Sequence, residues 1–441
     1  MRPVIVPLAI AAILLSPIVV HAGTDAGGTE SGASQTQAGT PAAAPITLEQ
    51  SWRLAEEANA ALRLARAQRA AAEGEMADAS GLLWNNPRLS VERVRRDVPQ
   101  TGMASDTRRE AAIGLEQTFE IAGQQGWRRK AAEQQLQALE ASIEETRLQV
   151  RADVEQRFVR VLSIQERIAT ESASLKIIED TANSTAKRVA AGEDSRLDGN
   201  LAKVEAVRAR NQIGSLQEQL TQARAELGAT LQLPTGELPV VTGTLAVTEA
   251  TYTLAQLQQS AAARPLLRAL EHREQAAKSR LSLERAARVP DLTLALSNGR
   301  EGPTAARERL TSLTLSLPLP LFRRNAGAVG RATSELTQAQ IEQDTERRNS
   351  HASIAALWPQ FQSLNARVDA LQTSVLPALE ENQRLSVKAL QAGEISLVQL
   401  LLVNRQVLDG RRDMLDALTE QRMTQIALRQ AAGWFATSSA K

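Results

Sequence analysis

With 441 residues the chain has room for two or three globular units at about 150 residues each, or for one extended architecture. Lys plus Arg is 51 against 50 Asp plus Glu, so bulk charge gives no footprint for nucleic acid. With no cysteine and three scattered histidines, cysteine nucleophiles, disulfides, thiolate zinc and multi-histidine metal centres are without support. Aromatics are 2% while 43% of the chain is hydrophobic, mostly Ala, Leu, Val and Ile, a bias that suits long packed helices.

The first 22 residues carry Arg2, an apolar run broken by Pro7, Ser16 and Pro17, and the ending Val20-His21-Ala22, which predicts a signal peptide (1–22) cleaved after Ala22. The absence of cysteine rules out acylation at that site. Residues 23–45 are rich in Gly, Thr, Ala and Ser and form a flexible low-complexity leader, because they hold too little apolar surface to offset ordering entropy. Beyond them no stretch approaches the roughly 20 apolar residues of a membrane helix, so a membrane crossing would have to use strands.

A repeat then organises the chain. Thr47-Leu48 with Gln50 recurs as Thr253-Leu254 with Gln256; Asn86-Pro87-Arg88-Leu89 recurs as Val289-Pro290-Asp291-Leu292; Ala191-Gly192-Glu193-Asp194-Ser195 recurs as Ala392-Gly393-Glu394-Ile395-Ser396. The predicted units are a first helix-strand-strand-helix repeat over 46–235, a linker over 236–250, a second repeat over 251–435 and a tail over 436–441.

In chain order, Leu89 and Val91 begin a strand that Arg93 and Arg95 weaken, and Asp97 to Thr107 reads as a polar loop. Ile113, Leu115, Gln117, Phe119 and Ile121 then alternate with Gly114, Glu116, Thr118 and Glu120. From Gln124 to Ala190 there is no proline, and Leu136, Leu139, Ile143, Thr146, Val150, Val154 and Phe158 mark a narrow helical stripe, so one helix of ~100 Å is predicted. Glu144, Glu145, Arg147 and Arg151 read as a solvated face with helix-pair contacts, not as acid/base dyads.

In the second copy Leu292, Leu294 and Leu296 alternate with polar or small residues, Asn298 to Glu308 reads as a loop, and Leu313, Leu315, Leu317, Leu319 and Leu321 alternate again. Ile354, Leu357, Phe361, Leu364, Val368, Leu371 and Val375 repeat the helical stripe, with a bend or break expected at Pro359 and Pro377. His272 and His351 read as helix-surface residues, and the methionines are too scattered for a metal relay.

The amphipathic strands approach the 9–11 residues of membrane strands, and four per chain cannot close a barrel, whose smallest membrane form has about 8. Edge closure therefore predicts oligomers, with three copies giving twelve strands and an open lumen. The expected fold is mainly α with a transmembrane β-barrel, its lipid face formed by Ile113, Leu115, Phe119, Ile121, Leu292, Leu294, Leu313, Leu315 and Leu317.

The runs Leu315-Ser316-Leu317-Pro318-Leu319-Pro320-Leu321-Phe322-Arg323-Arg324-Asn325-Ala326-Gly327 and Arg188-Val189-Ala190-Ala191-Gly192-Glu193, with Asn86-Pro87-Arg88-Leu89 and Val289-Pro290-Asp291-Leu292, resemble the TolC-like outer-membrane factors, specifically their cobalt-zinc-cadmium branch. The resemblance implies a homotrimer, a twelve-stranded barrel in outer-membrane lipid and a twelve-helix tube reaching into the periplasm. It also implies a periplasmic adaptor and an inner-membrane pump of the resistance-nodulation-division type as partners, and divalent heavy-metal cations as cargo. By the same resemblance Gly192 and Gly393 are adaptor-contact tips. Family members carry tip acids six and nine positions after the second glycine, where this chain has Gln399 and Leu402, while Asp198 matches in the first copy; Asp198 and Gln399 are candidates for a tip network. No catalytic residue, resident metal, cofactor or nucleic-acid partner is expected. Multidrug or type I export, or a periplasmic coiled-coil adaptor or structural protein, remain the alternatives.

Overall fold

A computed structural model describes residues 45–434 apart from 194, 235, 248–251 and 303–305. The predicted signal peptide, the leader up to residue 44, and the tail lie outside the described residues.

Two short helices, α1 (Leu48–Ala58) and α2 (Ala60–Ala79), lead into the hairpin of β1 (Arg88–Gln100) and β2 (Met103–Phe119), followed by α3 (Gln124–Ala191) and α4 (Arg196–Leu231). The order then repeats as α5 (Leu254–Ala262), α6 (Pro265–Ala286), β3 (Leu292–Glu301), β4 (Glu308–Ser316), α7 (Ala326–Ala370), a π-helical turn (Leu371–Val375), α8 (Leu376–Gln391) and α9 (Leu397–Ala432). Thr47 and Thr253 open α1 and α5 with the same capping box, their hydroxyls accepting from the backbone N–H of Gln50 and Gln256, which reach back to the cap. At 68 residues α3 spans ~100 Å. Among the described residues no helix is long and apolar enough to cross a membrane.

The helical region is held by α3, which packs against α2 and α4 of its own copy and against α6 and α9 of the other. Val154, Phe158, Val161 and Leu162 of α3 form one core with Leu227 and Leu231 of α4, with Val241 and Leu245 of the segment that follows it, and with Ile426 of α9. Tyr252, Leu257, Ile354, Phe361 and Leu428 form a second core. Towards the strands, α3 buries Ala131, Ala138 and Ala141, while Leu136, Leu139 and Ile143 stay half-buried. Alanine is what permits α2 and α6 to approach α3 closely there, so the predicted leucine stripe is left facing outward along this stretch.

Three features differ from expectation. The helix α7 runs unbroken through Pro359, although proline leaves the Ala355 carbonyl without its helical donor. Ile354 and Phe361, 0% and 2% exposed on either side of it, hold the axis in place. At Pro377 the expected irregularity is present as the π-turn ahead of it, where the widened turn accommodates the ring and the Thr373 hydroxyl donates to the Asp369 carbonyl at 2.8 Å. Second, the strands continue through most of the residues read as loops, to Gln100 and Glu301, because backbone pairing is indifferent to polar side chains that face solvent. Third, the charged face of α3 makes the expected helix-pair contacts, Arg147 and Arg151 both bonding Glu56, but Glu145 is buried rather than solvated, being 4% exposed and accepting from Arg264.

Candidate functional site

The four strands form one antiparallel sheet in the order β1-β2-β3-β4, with β2 joining the two copies from Ala111↔Arg300 to Phe119↔Leu292. Among the described residues the outer edges of β1 and β4 have no partner strand. The register sorts every strand side chain onto one of two faces. One face carries Leu89, Val91, Ile113, Leu115, Leu294, Leu296, Leu313 and Leu315, with Leu89, Leu115, Leu296 and Leu313 in a single cross-strand row. Leu115, Leu296, Leu313 and Leu315 are 53–71% exposed, far outside what a soluble sheet leaves uncovered.

Of the nine residues read as the lipid face, Ile113, Leu115, Leu294, Leu313 and Leu315 lie exposed on this face. Phe119 and Leu292 pair with each other on it and are half-buried. Ile121 and Leu317 lie just past the ends of β2 and β4; Pro318 and Pro320 lack the N–H a ladder needs, so β4 stops at Ser316.

The opposite face is small and polar, and it is crowded. A Cβ built on Gly299 would lie 3.0 Å from the Cβ of Ala112, against about 4.5–5.5 Å between opposed residues of an ordinary sheet, so the strands converge on this side. Ala112, Gly114, Ala295 and Ser297 on it are half-buried while the leucines of the other face are exposed, the difference expected of the inner side of a curled sheet, and it is termed the concave face. It bears Glu92, Asp106, Glu110, Glu116, Glu301 and Glu308 against Arg88, Arg96 and Arg108. Arg88, Arg96 and Arg108 each meet a carboxylate, at 3.5, 3.3 and 3.0 Å from Glu116, Glu110 and Asp106. Glu92, Glu301 and Glu308 have no basic partner among the described residues, and Glu301 and Glu308 sit directly opposite one another. The convex face has the reverse sign, with Arg93, Arg95, Arg109, Arg300 and Arg309 against Asp97. Sequence reasoning missed this segregation; its signal, charge at alternate positions, acquires a sign per face only once the register between the two copies is known.

Below the sheet the chain turns into α3 through Gly123, and Arg128 grips both carboxylate oxygens of Glu120 at 2.9 and 2.6 Å while stacking 3.8 Å over the Trp84 ring. In the helical region, buried carboxylates of α3 are answered by arginines of the other copy. Glu145 meets Arg264, Glu171 accepts two bonds from Arg412, and Glu155, 0% exposed, meets Arg422 and Arg429 at 2.9 and 2.6 Å. Burial pulls the Arg422 guanidinium below its ordinary pKa, with Glu155 opposing.

At the far end both helix pairs turn by one device. Gly192 (φ +79°) and Gly393 (φ +76°) end α3 and α8 in the left-handed region. Gly192 N–H donates to Val189 O and Glu193 N–H to Arg188 O, and Gly393 and Glu394 do the same to Leu390 and Ala389, a Schellman closure in each copy. Ser195 and Ser396 then cap the returning helices. Asp198 accepts from the Ser195 hydroxyl at 2.7 Å and Gln399 from the Ser396 backbone N–H at 2.8 Å, so in this chain both candidate network residues serve their own caps and are not brought into contact with each other. His272 is half-buried against Gln134, with Nδ1 2.9 Å from Oε1, and His351 is exposed. Among the described residues no three His, Asp or Glu side chains are grouped so as to hold a metal.

The profile described as outer membrane efflux protein matches residues 53–231 and again 256–434. The cobalt-zinc-cadmium resistance protein CzcC of Cupriavidus metallidurans is 27% identical over 414 residues, 93% of this chain and 94% of that protein. Among solved structures, the outer membrane protein VceC of Vibrio cholerae superposes with a TM-score of 0.72 at 18% identity, covering 88% of this chain and 96% of that one. The open state of the MtrE outer membrane channel of Neisseria gonorrhoeae does so with 0.72 at 19% identity, covering 88% of each.

Proposed function

The chain belongs to the outer membrane efflux protein family, and on that premise we propose that it is the outer-membrane exit duct of a tripartite pump for divalent heavy-metal cations. Three copies pair β1 and β4 edges into a twelve-stranded barrel, with the leucine face in lipid and the concave face lining the lumen. The helices continue the lumen across the periplasm, where the glycine tips receive a periplasmic adaptor and, through it, an inner-membrane pump of the resistance-nodulation-division type. The duct performs no chemistry; the pump supplies the energy.

The observation that carries the cargo assignment is the sign of the concave face. Three uncompensated glutamates per chain, Glu92, Glu301 and Glu308, ring the barrel mouth, and carboxylate rings favour cations without holding them tightly. Likeness to CzcC supports the same class. In planar bilayers the trimer should pass potassium in preference to chloride, read from the reversal potential in a salt gradient. The E92Q/E301Q/E308Q variant should move that ratio toward unity at unchanged open-channel size, and an unchanged ratio would remove the ring from the mechanism.

Deleting the gene should raise sensitivity to cobalt, zinc or cadmium, with little change for detergents and dyes. Drug sensitivity with unchanged metal tolerance would instead assign the same duct to multidrug export. The signal-peptide reading belongs to this proposal too: N-terminal sequencing of the outer-membrane protein should begin at Gly23.

A further inference from the structure

Five arginines stand on the lipid-facing side of the sheet, and their placement is specific. Arg93, Ala111, Arg300 and Arg309 form one cross-strand row, and Arg95 and Arg109 oppose each other in the next. Like charges directly opposite in a sheet destabilise it. Here two such pairs, Arg300 with Arg309 and Arg95 with Arg109, share a tier whose single acidic neighbour is Asp97, 3.6 Å from Arg95. Arg93, Arg109, Arg300 and Arg309 have no acidic partner among the described residues and are exposed. Every strand arginine on the concave side, by contrast, faces a carboxylate.

The tier begins one row beyond Val91 and Ile113, whose row is completed by the polar Asn298 and Thr311, and two rows beyond the all-leucine row of Leu89, Leu115, Leu296 and Leu313; it lies on the hairpin-loop side of the sheet, away from the helices. Two residues along a strand is about 7 Å, so the guanidiniums stand at the level where acyl chains give way to headgroups. Guanidinium forks match phosphate oxygens bidentately, and an anion shared between facing arginines would relieve their repulsion. Aqueous phosphate has no reason to be collected on the face that carries leucine; an anion attached to acyl chains does.

Resting on the barrel reading above, we propose that this tier binds the phosphate groups of lipids in the leaflet on the hairpin side, anchoring the barrel vertically and ordering a shell of phosphorylated lipid around it. In the trimer the tier would close into a belt around the barrel.

The test uses the detergent-extracted trimer with bisphosphorylated lipid A, the same lipid with its phosphates removed, and inorganic phosphate, bound lipid being counted by native mass spectrometry. The wild type should hold the bisphosphorylated lipid at least about tenfold more tightly than the dephosphorylated one, the scale of charged hydrogen bonds. Millimolar inorganic phosphate should not displace it. R93Q/R95Q/R109Q/R300Q/R309Q should lose the preference, the five-lysine counterpart should keep most of it, and R96Q/R108Q on the concave face should leave it intact. Equal retention of the two lipids by the wild type, or displacement by inorganic phosphate, would overturn the proposal while leaving the barrel standing; should the quintuple glutamine variant fail to assemble, the wild-type lipid comparison and the lysine variant still decide it. Failure of the wild type to yield a membrane-extracted trimer would overturn the barrel reading, and this proposal with it.

Discussion

Glu155→Ala will destabilise the protein by about 3 kcal/mol, because it strands two half-buried guanidiniums, with side chains 18% and 16% exposed, rather than merely deleting a contact. Glu155 is 0% exposed, and Arg422 and Arg429 converge on its Oε1 at 2.9 and 2.6 Å from the last turns of α9. Chemical denaturation of the detergent-solubilised protein, followed by helical circular dichroism, measures the effect. Two companions separate this from ordinary truncation. Arg157→Ala, which breaks the exposed pair with Asp153, should shift stability by no more than about 1 kcal/mol. E155L/R422L/R429L, which replaces the whole buried cluster with apolar groups, should recover most of the loss. If Glu155→Ala costs no more than Arg157→Ala, the cluster does not join the copies energetically.

The combined change G192W/G393W should reduce metal resistance to that of the deletion strain while the trimer persists. Both glycines close Schellman turns at φ +79° and +76°, where a side chain bearing Cβ is strained by about 1–2 kcal/mol. Among the described residues, chain neighbours aside, nothing lies within 4 Å of a Cβ at either position, so the space beside each tip is open to a partner. The conformational and docking contributions can be told apart with G192N/G393N, since asparagine tolerates the left-handed region and adds little bulk. The asparagine variant should keep resistance and the tryptophan variant lose it. Because the chain has no cysteine, a single cysteine introduced beside each tip reports adaptor proximity by crosslinking without background. Full crosslinking and full resistance in G192W/G393W would show that the tips are not the docking sites.

The expected cation preference and the arginine tier rest on the same structural fact, that one sheet carries opposite net charge on its two faces. A duct with an acidic lumen and a basic lipid face attracts its cargo inward and its membrane outward, and neither property costs the other because the pleat separates them.

Features with a short period or a local cause were legible from the residues alone. Alternation of Leu313 and Leu315 with Thr314 and Ser316 needs only the two-residue repeat of a strand, and the proline-free run after Gln124 needs only helix propensity. The caps at Thr47 and Thr253 and the glycine turns at Gly192 and Gly393 are written within four or five residues. Duplication then said that each was used twice.

Features that depend on partners remote in the chain emerged only on folding. Glu145 read as solvated because its guanidinium comes from Arg264, 119 positions away, and the Arg429 that meets Glu155 is 274 away. Pro359 read as a break because its local cost is visible and the burial of Ile354 and Phe361 that overrides it is not. The charge of each sheet face was likewise invisible, since a slip of one residue between β2 and β3 would have put Arg300 beside Glu110 or Ala112 instead of Ala111 and mixed the two faces. Registers and ion pairs are set by packing between the two copies, and that packing is a property of the folded chain alone.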